Sequence, residues 1–195
     1  IGTSRELING LYWGARFRYA RIIPITDLNF NPEADDWFVD NEPIEFDAYN
    51  KAVINTSLTF VPFQKYMTEP NRKIILGSKW PQFFVYYEKG VGGLFNSEIN
   101  YDYAEAEISQ AFKLGTMGTS NYKVLFGKYL NTQKMYYTDY EIYPRGDQWF
   151  FASLMESMQI QDTTLTVTDQ HFRAHYAHHF NGAIVNYIPF VKKLR

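Results

Sequence analysis

Apolar and polar residues exchange places at every second position through much of this chain. In residues 11–22, LYWGARFRYARI, Leu11, Trp13, Ala15, Phe17 and Tyr19 fall on one side while Gly14, Arg16 and Arg18 fall on the other. A period of two marks a strand with unlike faces, and Pro24 ends it. The alternation returns in residues 52–61, where Ala52, Ile54, Leu58 and Phe60 oppose Asn55, Ser57 and Thr59 as far as Pro62. In residues 82–89, Phe83, Val85 and Tyr87 oppose Gln82, Phe84, Tyr86 and Glu88, a mixed pattern that suits a strand buried on both sides. Residues 101–113, YDYAEAEISQAFK, are rich in helix formers. The short glycine-bearing link at 114–119 leads directly into another strand pattern at 122–129, so a hairpin is predicted instead.

The later chain is less regular. Residues 131–148 are tyrosine-rich without a period, and 149–159 fit a strand or a short helix. Residues 163–168, TTLTVT, are β-prone and run into a segment that holds all four histidines within residues 171–179. As a helix, that segment would gather His171, His175 and His178 or His179 on one face, where imidazoles can converge on a transition metal. As a strand, which the continuity favours, His171, Arg173, His175 and His179 share a face but are spread at about 3.3 Å per residue, so a metal would need ligands from a neighbouring strand. Past Gly182 no period of two survives. Residues 188–195, IPFVKKLR, predict a short helix opened by Pro189 with Lys192, Lys193 and Arg195 at its C-terminal end, or alternatively a surface-lying or partner-docking piece. Six or seven alternating segments with no βαβ order give an all-β, antiparallel up-and-down sheet.

Composition narrows the class. Of 195 residues, 46% are hydrophobic and 21% charged, and the formal charge is −2. Such a chain can form one domain with a sizeable core, and it offers no basic stripe for nucleic acid. Mean hydropathy is −0.36 and no apolar run is long enough for a transmembrane helix. A transmembrane β-barrel remains open, because its strands alternate and its average hydropathy resembles that of a soluble protein. Aromatic residues at 18% suit strands and the aromatic girdles of such barrels. Cysteine is absent, which removes thiolate nucleophiles and disulfides. The start at Ile1, without a leader pattern, is expected of a mature product or an excised piece.

Charges group by segment. From about residue 24 to 50 no lysine or arginine occurs, while Asp27, Glu33, Asp35, Asp36, Asp40, Glu42, Glu45 and Asp47 accumulate. Calcium-loop spacing is missing, so a solvated external loop is the expectation. Glu105 and Glu107 read as the polar face of their strand in preference to a catalytic carboxylate pair.

Three stretches carry a resemblance: FVPFQKYMTEPNRKIILGSKWPQFFVYYEKGVGG at 60–93, NYKVLFGKYLN at 121–131, and HFRAHYAHHFNGAIVNYIPFVKKLR at 171–195. Together they resemble a little-characterised family of Gram-negative outer-membrane proteins in which a carboxypeptidase-regulatory-like domain precedes a C-terminal β-barrel, itself distantly similar to surface-antigen barrels. The resemblance implies a partial outer-membrane β-barrel over residues 1–195 that serves as a channel or as a transport or assembly component. It implies no cofactor and no catalysis of its own, and the partners it implies are outer-membrane lipid and other envelope proteins. On that reading Arg16, Arg18, Glu105, Glu107 and Arg173 face the lumen, and Lys192, Lys193 and Arg195 meet lipid phosphate. Two alternatives stand beside it: a soluble β-barrel binding a small apolar ligand, and a metal-binding protein using His171, His175 and His179.

Overall fold

A computed structural model describes residues 1–24, 46–143, 153–158 and 165–182. Among them, seven strands form one antiparallel sheet. In spatial order these are β1 (Gly2–Ile8), β2 (Leu11–Ile22), β3 (Tyr49–Phe60), β6 (Gln82–Gly90), β7 (Asn100–Lys113), β8 (Thr119–Lys134) and β11 (Gln170–His179). Each strand pairs with its predecessor in the sheet, an up-and-down order. Two small hairpins interrupt it: β4 (Lys65–Glu69) with β5 (Arg72–Gly77), and β9 (Glu141–Tyr143) with β10 (Leu165–Val167). No α-helix occurs among the described residues. The fold is therefore all-β and antiparallel, and the main sheet is not closed, since β1 and β11 do not pair with each other.

Several local expectations change. The alternation at 163–168 does not run on into the histidine strand: β10 leaves the main sheet to pair with β9, and the chain breaks at Thr168–Asp169, whose carbonyl accepts from the Tyr129 amide. The acidic stretch stops short of residue 50, because Tyr49 and Asn50 already pair with Ile22 and Arg21. Most of that stretch, the predicted helix at 188–195 and Lys192, Lys193 and Arg195 lie outside the described residues, as does most of 149–159. The β6 strand is not buried on both sides, since Phe83 and Val85 are open while Phe84 and Tyr86 are half-covered.

Register makes the two faces of the sheet explicit. One row crosses six strands as Leu11, Phe60, Phe83, Ile108, Val124 and Ala174, and the next as Trp13, Leu58, Val85, Ala106, Phe126 and Phe172. These rows belong to one apolar face, with Arg5 beside Trp13 as the exception at the β1 edge. Its large side chains stand open: Val85 is 50% exposed and Phe172 65%. Several polar groups on this face are paired internally, and Arg5, Arg21 and Lys128 also lie on it. The Trp13 indole donates to the Thr56 hydroxyl (2.9 Å), which donates to the Gly14 carbonyl (3.1 Å), and the Tyr122 hydroxyl donates to Gln110 (3.0 Å). Lys89 and Asp102 pair at 2.7 Å toward the end of the sheet where β2 finishes.

The opposite face is polar yet covered at one end. Residues 135–143 and β10 lie over it near the β2–β3 connection, enclosing Tyr49, Val53, Tyr101, Tyr103, Tyr129 and Val167. Tyr49 stacks on Tyr136 at 3.9 Å, and Tyr103 packs at a 45° tilt against Tyr129 at 4.9 Å. Each such aromatic pair adds roughly 0.5–1.5 kcal/mol beyond its buried area. Asp139 fixes the covering segment: it accepts from Lys51 (2.9 Å), the Tyr49 hydroxyl (3.0 Å) and the Tyr136 amide (3.2 Å).

Candidate functional site

Strand parity gathers the charged candidates. Arg16 pairs with Asn55 and that with Glu88; Glu105 pairs with Gly127 and that with His171; Glu107 pairs with Leu125 and that with Arg173. Cross-strand partners project to the same side, so Arg16, Arg18, Glu105, Glu107 and Arg173 all occupy the polar face.

Two different electrostatic settings result. Around β7, β8 and β11 the charges neutralise one another. Arg173 lies 3.7 Å from Glu105 and 3.5 Å from Glu141, and Lys123 lies 3.0 Å from Glu107. The Tyr103 hydroxyl also donates to Glu105 at 2.7 Å. Arg173 donates to His171 Nε2 (3.3 Å) and lies over the Tyr143 ring at 4.8 Å from its centroid. Among the described residues, His171 Nδ1 and Arg173 Nε have no hydrogen-bond partner although both are enclosed. A cavity of about 310 Å³ opens beside this cluster, with Glu156 and His175 among its walls. On β9, outside the sheet, burial raises the Glu141 carboxyl above its ordinary value, Arg173 opposing and Glu105 adding to the rise.

Around β2 the charges are uncompensated. Arg16 and Arg18 are exposed, and they border a second cavity, of about 550 Å³, together with Ser57, Thr59 and Asn55.

Gly127 shows how closely the polar face is built. A Cβ there would meet the His171 ring and the Tyr103 hydroxyl oxygen, so the absence of a side chain lets those two rings lie parallel, 6.2 Å apart.

The histidines do not form a centre. His171, His175 and His179 share the polar face, but successive members stand four residues apart along β11, about 13 Å at the rise of a strand. That spacing separates what a helix would have gathered. Among the described residues, no group of three or more His, Cys, Asp or Glu is arranged to hold a metal ion. His178 is on the apolar side, where Nδ1 meets the Ser120 hydroxyl (2.8 Å) and Nε2 the Met117 carbonyl (2.9 Å).

Sequence reasoning overlooked Lys51, Lys123, Asp139 and Glu141. Lys123 was accessible by parity, since it shares a face with Leu125 and Asn121 on β8. Asp139 and Glu141 were not, because their partners lie on distant strands and residues 135–143 have no period.

Comparison with curated proteins finds no match, and neither does comparison with solved structures. A family model does match the chain, over residues 1–195: the C-terminal domain of a family of unknown function (DUF5686), to which this chain therefore belongs.

Proposed function

We propose that this domain contributes wall strands to an outer-membrane β-barrel that serves as a channel or as a transport or assembly component, with no catalysis of its own. One observation carries the reading. The face with two unbroken apolar rows across six strands is open, while the polar, charged face is the one that carries a cover, at one end. A water-soluble sheet does the reverse, burying its apolar side. A lipid-facing wall needs this inversion, and it needs the polar atoms on its outer side to be satisfied within the protein. The Trp13–Thr56–Gly14 chain of hydrogen bonds meets that need.

On this reading the polar face lines the lumen, and residues 135–143 narrow it from one end. The open edges of β1 and β11 are closed by further strands, because single-chain bacterial barrels have at least eight. A soluble barrel for an apolar ligand fits less well: the cavities of about 550 and 310 Å³ lie on the polar face beside charged side chains, and one of about 520 Å³, walled in part by Val61, Ile75, Trp80 and Met155, also holds Glu107, Lys123 and Glu156.

The test uses the complete natural protein. Membranes are fractionated, extracted with mild detergent and run on SDS gels with and without heating. Outer-membrane recovery with a heat-dependent mobility shift is expected. Recovery in the soluble fraction without a shift would overturn the proposal.

A further inference from the structure

We propose that Arg16 and Arg18 form a binding station for the phosphate group of a small water-soluble solute, a reading that rests on the polar face being the lumen. Most other cations on this face are matched: Lys51 by Asp139, Lys123 by Glu107, Arg173 by Glu105 and Glu141, and Lys73 by Glu6 from the adjoining hairpin, while Lys113 stands exposed at the far end of β7. Arg16 and Arg18 have no ion pair or hydrogen-bonded acceptor among the described residues. They stand two residues apart on β2, so both guanidiniums emerge on the same side and repel each other. An oxyanion between them removes that repulsion, and the planar guanidinium fork matches two phosphate oxygens at once.

The surroundings fit the same ligand. Among the described residues, Arg16 and Arg18 are the only charged ones bordering the cavity of about 550 Å³. Ser4, Ser57 and Thr59 offer hydroxyls and Asn55 an amide, groups that complete the shell of a phosphate without adding charge. Space for the anion comes from glycine. Gly2 pairs with Arg16, and Gly14 lies between Ser4 and Ser57, so the floor beside the arginines has no side chains. A Cβ on Gly14 would stand 2.9 Å from the Ser57 hydroxyl, within the space the ligand needs.

The charged group facing this station from the next strands is Glu88, reached through Asn55. Two strand spacings place it about 10 Å away, near one Debye length at physiological salt. Its carboxylate is held by the hydroxyls of Tyr86 and Tyr101 (2.6 Å to the latter), turned to that side of the sheet. Glu88 therefore weakens the station without neutralising it. The hydroxyls and glycines next to the arginines favour a soluble phosphate over the phosphate of a lipid, while Tyr12, Trp13, Phe84 and Tyr86 complete the border.

The experiment titrates inorganic phosphate into the complete natural protein in mild detergent, followed by calorimetry. Saturable binding is expected, weakened about tenfold or more in R16Q/R18Q, whereas R5Q/R21Q, which removes the same charge from the opposite face, leaves it within about twofold. No saturable binding to the wild type, or equal loss in the two double variants, overturns the station. Dihexanoyl phosphatidic acid binding at least tenfold tighter than inorganic phosphate would overturn the soluble-solute assignment. Heat-dependent gel mobility of every variant is read in parallel: a retained shift with no phosphate binding sinks the station alone, and loss of the shift in the wild type sinks the barrel.

Discussion

Replacing Asp139 with alanine should release the segment that covers one end of the polar face. The Asp139 side chain is completely enclosed and that of Lys51 is 15% exposed, with 2.9 Å between them. At that distance and an effective dielectric of about 20, the gross attraction is roughly 6 kcal/mol, most of it offset by desolvation. Removing only the carboxylate leaves Lys51 enclosed without its counter-charge, which costs about 3–5 kcal/mol. The Tyr49 hydroxyl and the Tyr136 amide also lose their acceptor. Amide hydrogen exchange of residues 136–143 in the detergent-solubilised protein reads this locally. A loss of about 3 kcal/mol corresponds to roughly 100-fold faster exchange, each 1.4 kcal/mol being tenfold. Lys51→Met with Asp139→Leu removes both charges, so most of the protection should return. Exchange within about threefold of wild type in Asp139→Ala would refute the tether, as would a double variant no better than the single. Untethering should also raise single-channel conductance if residues 135–143 narrow the lumen.

Three further outcomes are expected. Gly127→Val places a side chain where the His171 ring and the Tyr103 hydroxyl stand, and should cost about 1–3 kcal/mol in denaturant unfolding; a neutral result would mean those rings are free to part. Val85→Lys, in the second apolar row, should cost about 2–4 kcal/mol when the protein is folded into lipid vesicles, whereas Ser57→Lys on the polar face should cost under about 1; equal effects would remove the lipid-facing assignment. Glu98, in the β6–β7 connection, is held below the usual carboxylate range by hydrogen bonds from Lys134 and Tyr136. Its contribution is present above the ordinary carboxylate value and is lost as pH falls through the lowered one, so acid should loosen Tyr136, and Glu98→Gln should abolish that dependence in pH-resolved exchange at Tyr136.

What could be read from sequence was parity. Once Arg16 and Arg18 oppose Trp13 and Phe17, antiparallel pairing carries the assignment across the sheet, because opposed residues share a side. The strand preference for residues 101–113, against their helix formers, holds for the same reason: Ala104 and Ala106 pair with Lys128 and Phe126, and neighbouring strands override propensity. The first strand escaped notice because Thr3, Arg5 and Leu7 alternate with Gly2, Ser4 and Glu6 and give no apolar side. The β4–β5 hairpin was signalled by Pro70–Asn71 between two short β-prone runs, but its mixed charges obscured the period. Strands of three residues such as β9 and β10 are shorter than any periodic signal. The covering of the polar face was illegible because it depends on contacts such as Lys51 with Asp139, 88 residues apart.

The solvent that this sheet requires follows from its two faces taken together. Its polar side is covered at one end by a segment whose tyrosines and carboxylates match Lys51 and Arg173, so part of that side has an internal partner already. Its apolar side has none among the described residues, although Phe83, Val85, Phe126 and Phe172 stand open across adjoining rows. In water such rows would carry a large hydrophobic penalty and template association. Facing hydrocarbon, the same side chains carry no such penalty, and the indole and hydroxyl groups among them stay satisfied through Thr56 and Gly14. The apolar stretch on β2, from Leu11 to Tyr19, spans about 26 Å at the rise of a strand, and tilting shortens its height toward that of an outer-membrane hydrocarbon layer. The proposed barrel wall, with hydrocarbon on one side and an aqueous lumen on the other, would satisfy both faces at once, whereas a single aqueous phase satisfies only one.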